Sequence, residues 1–313
     1  RSASAAKMTA SFDKNGTFTG LEHAFAAGWP TKAMAPGFLS PGVDGKGKFD
    51  AFSASGADHW YSMSSHRARA INNEVAQSTF TPGWLRSVGP GWIAWSLESF
   101  IDEIAHKQGK DPVQFRIEML DGKGKQAGKA PESVGGALRL RNVLKTVSDK
   151  VASVKLAKDE GIGFSVSSGQ ERTMPAWLAT AAHVHVNRDS GKITLKKLYV
   201  VVDAGLIVHP DGALAQIEGS LLWGSSLALH ESNTYKDGQV SATNFNTYLP
   251  LRMQDVPDID IEFLQSDEFP VGLGEPGVIG VAPAIGNAVF NAVGVRLRDL
   301  PMKPSELKKG LKA

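Results

Sequence analysis

An α+β or mixed α/β fold is predicted by three features of this 313-residue chain. Apolar residues recur at helical spacing over 95–107 and again over 283–293. They alternate at strand spacing over 182–202 and 259–263, and turn residues separate the two kinds of segment.

The elements follow in order. Residues 1–56 are rich in Gly, Ser, Ala and Pro, and the alternation over Lys7–Phe18 around Asn15-Gly16 predicts a hairpin followed by long irregular loops. Leu97, Ile101 and Ile104 form the stripe of an amphipathic helix over Trp95–Lys107, closed by Gly109, and Asp111-Pro112 opens a second helix through Met119. The stretch DGKGKQAGKAP, from Asp121 to Pro131, reads as a polar linker, so the chain is divided into domains at 1–125 and 126–313. A helix over Leu138–Val151 precedes a hairpin of strands at 182–187 and 192–202. A helix follows the Asp203–Pro210 loop, with Gly219 and Gly224 expected to allow close backbone approach. Asp237-Gly238 marks a turn, Ile259, Ile261 and Phe263 a half-buried strand, and Pro283 the start of a last helix that stops at Gly294.

Composition narrows the function. Thirty-four basic and 32 acidic residues leave a formal charge of +2, which supplies no field for nucleic acid. The absence of cysteine excludes thiolate zinc, a cysteine nucleophile and an iron–sulfur cluster held by this chain. No run of 18 apolar residues is present, so no membrane span is expected, and Arg1–Ala10 lacks a signal-peptide layout and reads as an internal edge of a longer chain.

Three segments carry chemistry. In VGLGEPGVIGVAPAIGNAVFNA, Glu275 stands between Gly274 and Pro276 on a loop that delivers a helix, a geometry that fixes backbone while leaving a carboxylate free to take a proton. In YVVVDAGLIVHPDGALAQIEG, an apolar strand ends at Asp203-Ala204-Gly205 before a helix whose N-terminal amides suit an anion. In FTPGWLRSVGPGWIAWSLESFIDEIAHKQGKDP, a turn over Leu85, Arg86, Ser87 and Gly89 precedes the amphipathic helix, so its amides can face a ligand. Arg86 suits either an oxygen-rich ligand or an internal carboxylate, and Trp84, Trp92 and Trp95 either a pocket wall or core. His183 and His185 share a strand face, but no third ligand follows at metal spacing, and a half-exposed sheet face is expected there. Gln170, Glu171 and Arg172, in a glycine–serine loop, suit contact with a partner.

In this order, and with NFNTYLPLRM between them, these segments resemble the large subunits of the xanthine oxidase family of molybdenum hydroxylases, in the branch of isoquinoline 1-oxidoreductase and membrane-bound aldehyde dehydrogenase. The resemblance covers nearly the whole chain and implies the molybdenum-binding domains of that subunit in its C-terminal portion. It aligns Glu275 with the family's active-site glutamate. It makes Leu85, Arg86, Ser87, Gly89 and Gly274 cofactor-binding, with no metal ligand from this chain. His209-Pro210 departs from the Asn-Pro of many relatives, and the family's glycine-rich upstream motifs are missing, so about half of the large subunit is expected elsewhere.

What the resemblance implies is oxidation of an aldehyde to a carboxylic acid with water as oxygen source, Glu275 acting as base. The cofactor would be molybdenum–molybdopterin, in its cytosine dinucleotide form. Partners would be the remaining part of the large subunit, a small subunit with [2Fe-2S] clusters and a cytochrome c subunit with haem c, in a periplasmic, membrane-associated complex. Two rival readings are hydroxylation of an N-heterocycle and a non-catalytic module that completes a cofactor-bearing partner.

Overall fold

The computed structural model describes residues 2–42, 45–79, 81–122, 136–169 and 175–312. The expected linker and the 125/126 boundary fall largely or wholly within 123–135, and Gln170, Glu171 and Arg172 within 170–174, so these lie outside the described residues. The chain forms two compact units, one of residues 1–142 and 168–175, the other of 143–167 and 176–313.

The first unit opens with strands β1 (Ser4–Phe12) and β2 (Phe18–Ala27), paired antiparallel. Asp13 Oδ1 accepts from the amides of Asn15 and Thr17, and Gly16 takes φ +80°, so the asparagine–glycine signal turns the chain as expected. The next stretch is less irregular than its composition predicts. It holds α1 (Pro30–Met34), the two-residue strands β3 (Ser40–Pro41) and β4 (Lys48–Phe49), and α2 (Ala51–Ala54). Buried Asp50 organises it by accepting from Thr31 N and Oγ1, Phe52 N, and Ser53 N and Oγ. Strand β5 (Ser65–Asn72) adds to β2 in parallel, giving the order β1-β2-β5, and α3 (Glu74–Thr79) follows.

Helix α4 (Pro90–Lys107) begins five residues before the expected start, because Pro90 takes the first helical position, where a missing N–H costs nothing. It buries Ile93, Leu97, Ile101 and Ile104, and Gly109 ends it at φ +64°. Helix α5 (Pro112–Met119) is capped by Asp111, which accepts from Val113 N and Gln114 N. The two helices are tied by charge: Arg116 and Glu98, both essentially inaccessible, meet at 3.0 Å, and Tyr61 Oη donates to Glu98 over 2.7 Å. Burial opposes the Arg116 charge, but Glu98, Tyr61 and Asp102 outweigh it and raise its pKa.

The second unit is built on a four-stranded sheet in the order β11-β8-β7-β6. Helix α6 (Gly136–Val151) leads to β6 (Glu160–Gly169), β7 (Ala176–Val186) and β8 (Ile193–Asp203), and β7 and β8 form the expected antiparallel hairpin. Helix α7 (Pro210–Leu229) and the small hairpin of β9 (Tyr235–Lys236) and β10 (Gln239–Val240) follow, the latter turning at Asp237 and Gly238, both with positive φ. Strand β11 (Asp258–Phe263) returns parallel to β8. Helix α8 (Val281–Val293) starts two residues before Pro283 and stops at left-handed Gly294, and α9 (Pro304–Gly310) closes the chain. Pro276–Val293 is long and apolar enough to cross a membrane by composition, yet most of it is buried inside the unit as a core helix.

Two expectations need correction. Among the described residues nothing lies within 4 Å of a Cβ placed on Gly219, whereas Gly224 does serve a close approach, against Val281 Cγ2 at 2.7 Å. His183 is buried, not half-exposed, because β7 is covered along almost its whole length, and its Nε2 lies 3.0 Å from Glu160 Oε2.

Candidate active site

The carboxylate of Glu275 is delivered by a loop fixed at both ends. After β11 the chain runs back along the end of β8: Leu264 N donates to Val202 O (2.8 Å), Leu206 N to Glu268 O (2.9 Å), and Val271 N to Ala204 O (2.9 Å). The Asp203-Ala204-Gly205 strand end exists for this contact. Gly205 sits at φ +69°, and a Cβ there would lie 2.1 Å from the carbonyl oxygen of Phe269. Buried Asp203 steadies the bend by accepting from Gly205 N over 3.2 Å.

Beyond Glu275 the chain enters a buried 3-10 turn, Pro276–Val278, that abuts α8. Gly277 admits α7 so closely that a Cβ would stand 2.6 Å from Ser220 Cβ, and Gly224 of α7 receives Val281 in the same way. Glu275 is itself half-buried, and its side chain makes no capping bond to the turn it precedes. Among the described residues its carboxylate has no hydrogen-bond or ion-pair partner. A carboxylate with free lone pairs on an immobilised loop is suited to accept a proton from a bound group. Gly274, beside it, is exposed.

The departure at His209 has a structural answer. His209 caps α7, its Nδ1 accepting from Gly212 N over 2.8 Å, so an imidazole does what a side-chain amide oxygen does at such a position.

In the first unit, Leu85, Arg86, Ser87 and Gly89 form the turn before α4. Ser87 and Val88 both adopt left-handed backbone, at φ +70° and +44°. For β-branched Val88 this is a strained state, of the kind that persists where surrounding structure enforces it. The enforcement is visible at Gly89, whose Cβ position is taken by the carbonyl oxygens of Phe52 and Ser53 at 2.4 and 2.6 Å. The amides of Val88 and Gly89 donate to Leu85 O and Phe52 O, so neither faces a ligand. What the turn offers is the Ser87 hydroxyl, buried and without a partner among the described residues, beside half-buried Arg86. An orphaned hydroxyl in a strained turn fits a polar group such as a pterin oxygen or nitrogen. Trp92 packs on the core cluster of Phe25, Ala57 and Ile93, whereas Trp84 is exposed, its Nε1 3.4 Å from Thr31 Oγ1.

The two sets of sequence-predicted residues thus fall in different units: Leu85, Arg86, Ser87 and Gly89 in the first, Gly274 and Glu275 in the second. Sequence reading missed Asp50, although an Asp just before a short helical run is an N-cap signal.

This fold is that of molybdenum hydroxylase large subunits. Residues 131–257 match the molybdopterin cofactor-binding domain family. It is 50% identical over 313 residues to the membrane-bound aldehyde dehydrogenase [pyrroloquinoline-quinone] of Gluconacetobacter polyoxogenes, with 99% of this chain and 40% of that protein covered. It is 31% identical to the isoquinoline 1-oxidoreductase subunit beta of Brevundimonas diminuta, over 71% of this chain and 27% of that one. Among solved structures, the aldehyde oxidoreductase of Desulfovibrio gigas superposes with a TM-score of 0.74 at 16% identity, covering all of this chain and 49% of that one, so the two share a fold. The chain therefore spans less than half the length of these relatives.

Proposed function

We propose that this chain is the C-terminal part of a large subunit that oxidises aldehydes to carboxylic acids, with Glu275 as its general base. The observation that carries the reading is the Glu275 carboxylate, unpartnered among the described residues on a loop pinned to β8 and α7. When bound, the molybdenum cofactor supplies the two-electron acceptor, so an aldehyde and water give a carboxylic acid, two protons and two electrons. Glu275 takes a proton from the water-derived nucleophile, and its half-burial limits competition from bulk water. Ser87 and Arg86 would hold polar groups of the cofactor, Leu85 and Gly89 would shape the turn that presents them, and exposed Gly274 would let the cofactor approach the backbone.

Because this stretch has no cysteine, it ligates no iron–sulfur cluster, and carrying electrons out of the site falls to a group held elsewhere in the complex. We assign that role to a small [2Fe-2S] subunit, and onward transfer to a haem c subunit that ties the complex to the membrane from the periplasm. The cofactor is proposed in its cytosine dinucleotide form, and domains at 1–125 and 126–313 remain our proposed division. Aldehydes are preferred to N-heterocycles because the aldehyde dehydrogenase relative is similar over nearly all of this chain and the isoquinoline enzyme over 71%.

A second reading takes its cofactor from the name of the Gluconacetobacter relative, pyrroloquinoline quinone. Metal and quinone analysis of the purified complex, with turnover of a panel of aldehydes and N-heterocycles, separates these. Stoichiometric molybdenum with aldehyde turnover is expected. Quinone without molybdenum would overturn the cofactor, and heterocycle turnover without aldehyde turnover would overturn the substrate.

A further inference from the structure

We propose that Ser165 is a positioning residue for Glu275, an inference that rests on the base role of that glutamate. Side-chain hydrogen bonds anchor helix α8 and the turn before it to β6. Asn291 Nδ2 donates to Ile162 O (2.8 Å), Asn287 Nδ2 to Phe164 O (2.9 Å), and Ser165 Oγ to Gly280 O (2.6 Å). Gly161 and Gly163 let the helix lie directly on the strand, since a Cβ on either would stand within 2.4 Å of the Ala288 backbone.

The Ser165 bond is the one nearest the active loop. Gly280 closes the turn that starts at Glu275, five residues earlier, and its carbonyl also accepts from Ala284 N in the first turn of α8. The surroundings are apolar: Ile279, Val281, Ala284 and Ile285 are all buried. Apolar burial alone would hold this helix against the sheet, but burial is non-directional and leaves sliding and rotation open. A hydrogen bond between two inaccessible groups fixes register, because sliding the helix would strand the buried Ser165 hydroxyl. A catalytic carboxylate needs placement within about 0.5 Å, which is the tolerance such a bond supplies and apolar contact does not. Gly280 tightens the same point, since a Cβ there would meet Thr180 Oγ1 at 2.9 Å and Ser165 Oγ at 3.0 Å.

The test uses the assembled, cofactor-loaded complex. Ser165→Ala removes the bond, Gly280→Ala pushes the turn away from it, and Leu195→Ala, a buried position at the hairpin end of β8, controls for loss of stability alone. Ser165→Ala and Gly280→Ala should each lower kcat by about tenfold or more with KM and molybdenum content unchanged, since small misplacements of reacting groups cost that much. Leu195→Ala should lower thermal stability and leave kcat in place. A kcat loss under about tenfold in loaded Ser165→Ala overturns the inference. Should that variant fail to assemble, Gly280→Ala decides by the same criterion. Glu275→Gln run alongside separates the two ideas: an active Glu275→Gln sinks the base role, whereas an inactive one beside a fully active Ser165→Ala sinks only the positioning role.

Discussion

The amide of Val271 donates to the carbonyl of Ala204 over 2.9 Å, and that bond joins two segments lying 67 residues apart that the sequence marks separately, the strand end at Asp203 and the loop of Glu275. The position of the carboxylate is therefore a property of β8 as much as of its own loop.

Gly205→Ala tests this directly. The added methyl would overlap the Phe269 carbonyl at 2.1 Å and occupy backbone at φ +69°, so we expect a loss of about 1–3 kcal/mol or more and a fall in turnover as the loop shifts. Thermal unfolding and kcat measured on the same preparation check it; unchanged values of both would show that the contact does not govern the loop.

The buried charge cluster of the first unit should be intolerant of one-sided change. Glu98→Gln leaves the inaccessible Arg116 guanidinium with Asp102 at 3.6 Å as its remaining acidic partner among the described residues, and removing one member of such a pair costs about 3–5 kcal/mol. Combining Glu98→Gln with Arg116→Met should recover part of the loss in a double-mutant cycle. Strict additivity would argue that the pair contributes no coupling.

His23 should make the protein acid-sensitive. It is wholly buried on β2, its Nε2 lies 3.0 Å from Ser96 Oγ, and its Nδ1 has no partner among the described residues. Burial, with a smaller contribution from His66, pushes its pKa down to about 4, against about 6.5 when unfolded. The unfolded chain then binds more protons between those values, so stability is complete above about pH 6.5 and declines as pH falls toward 4. His23→Leu, which leaves Ser96 its bonds to Trp92 O and Ile93 O, should flatten the unfolding profile across that window. An unchanged slope would remove His23 as the cause.

Much of the fold was legible because its signals are local. The Asp111 cap, the Asn15-Gly16 turn and the α8 stripe each predict one element without reference to the rest. What stayed hidden was set by tertiary contact. Strand β6 was not identified, because Gly161 and Gly163 weaken its strand signal, yet both are needed for the backbone of α8 to lie on it. Strand β5 is mostly exposed, so SHRARAIN carries no apolar alternation to find. His183 looked half-exposed because a neighbouring Val-His alternation suits a two-faced sheet, while its contact with Glu160 spans 23 residues. At the candidate site, Glu275 was visible from its glycine and proline neighbours, but the strain at Ser87 and Val88 comes from Phe52 and Ser53, more than 30 residues away.

The central claim, that Glu275 is the base, is tested most directly by the rate at which substrate reduces the loaded enzyme in a single turnover of Glu275→Gln. Gln preserves the volume and the loop but cannot take the proton. The account predicts a fall of about 10² to 10⁴ or more in that rate, with molybdenum content and thermal stability close to wild type. A variant retaining more than about a tenth of the wild-type rate would contradict it, and would leave the Glu275 carboxylate no catalytic part.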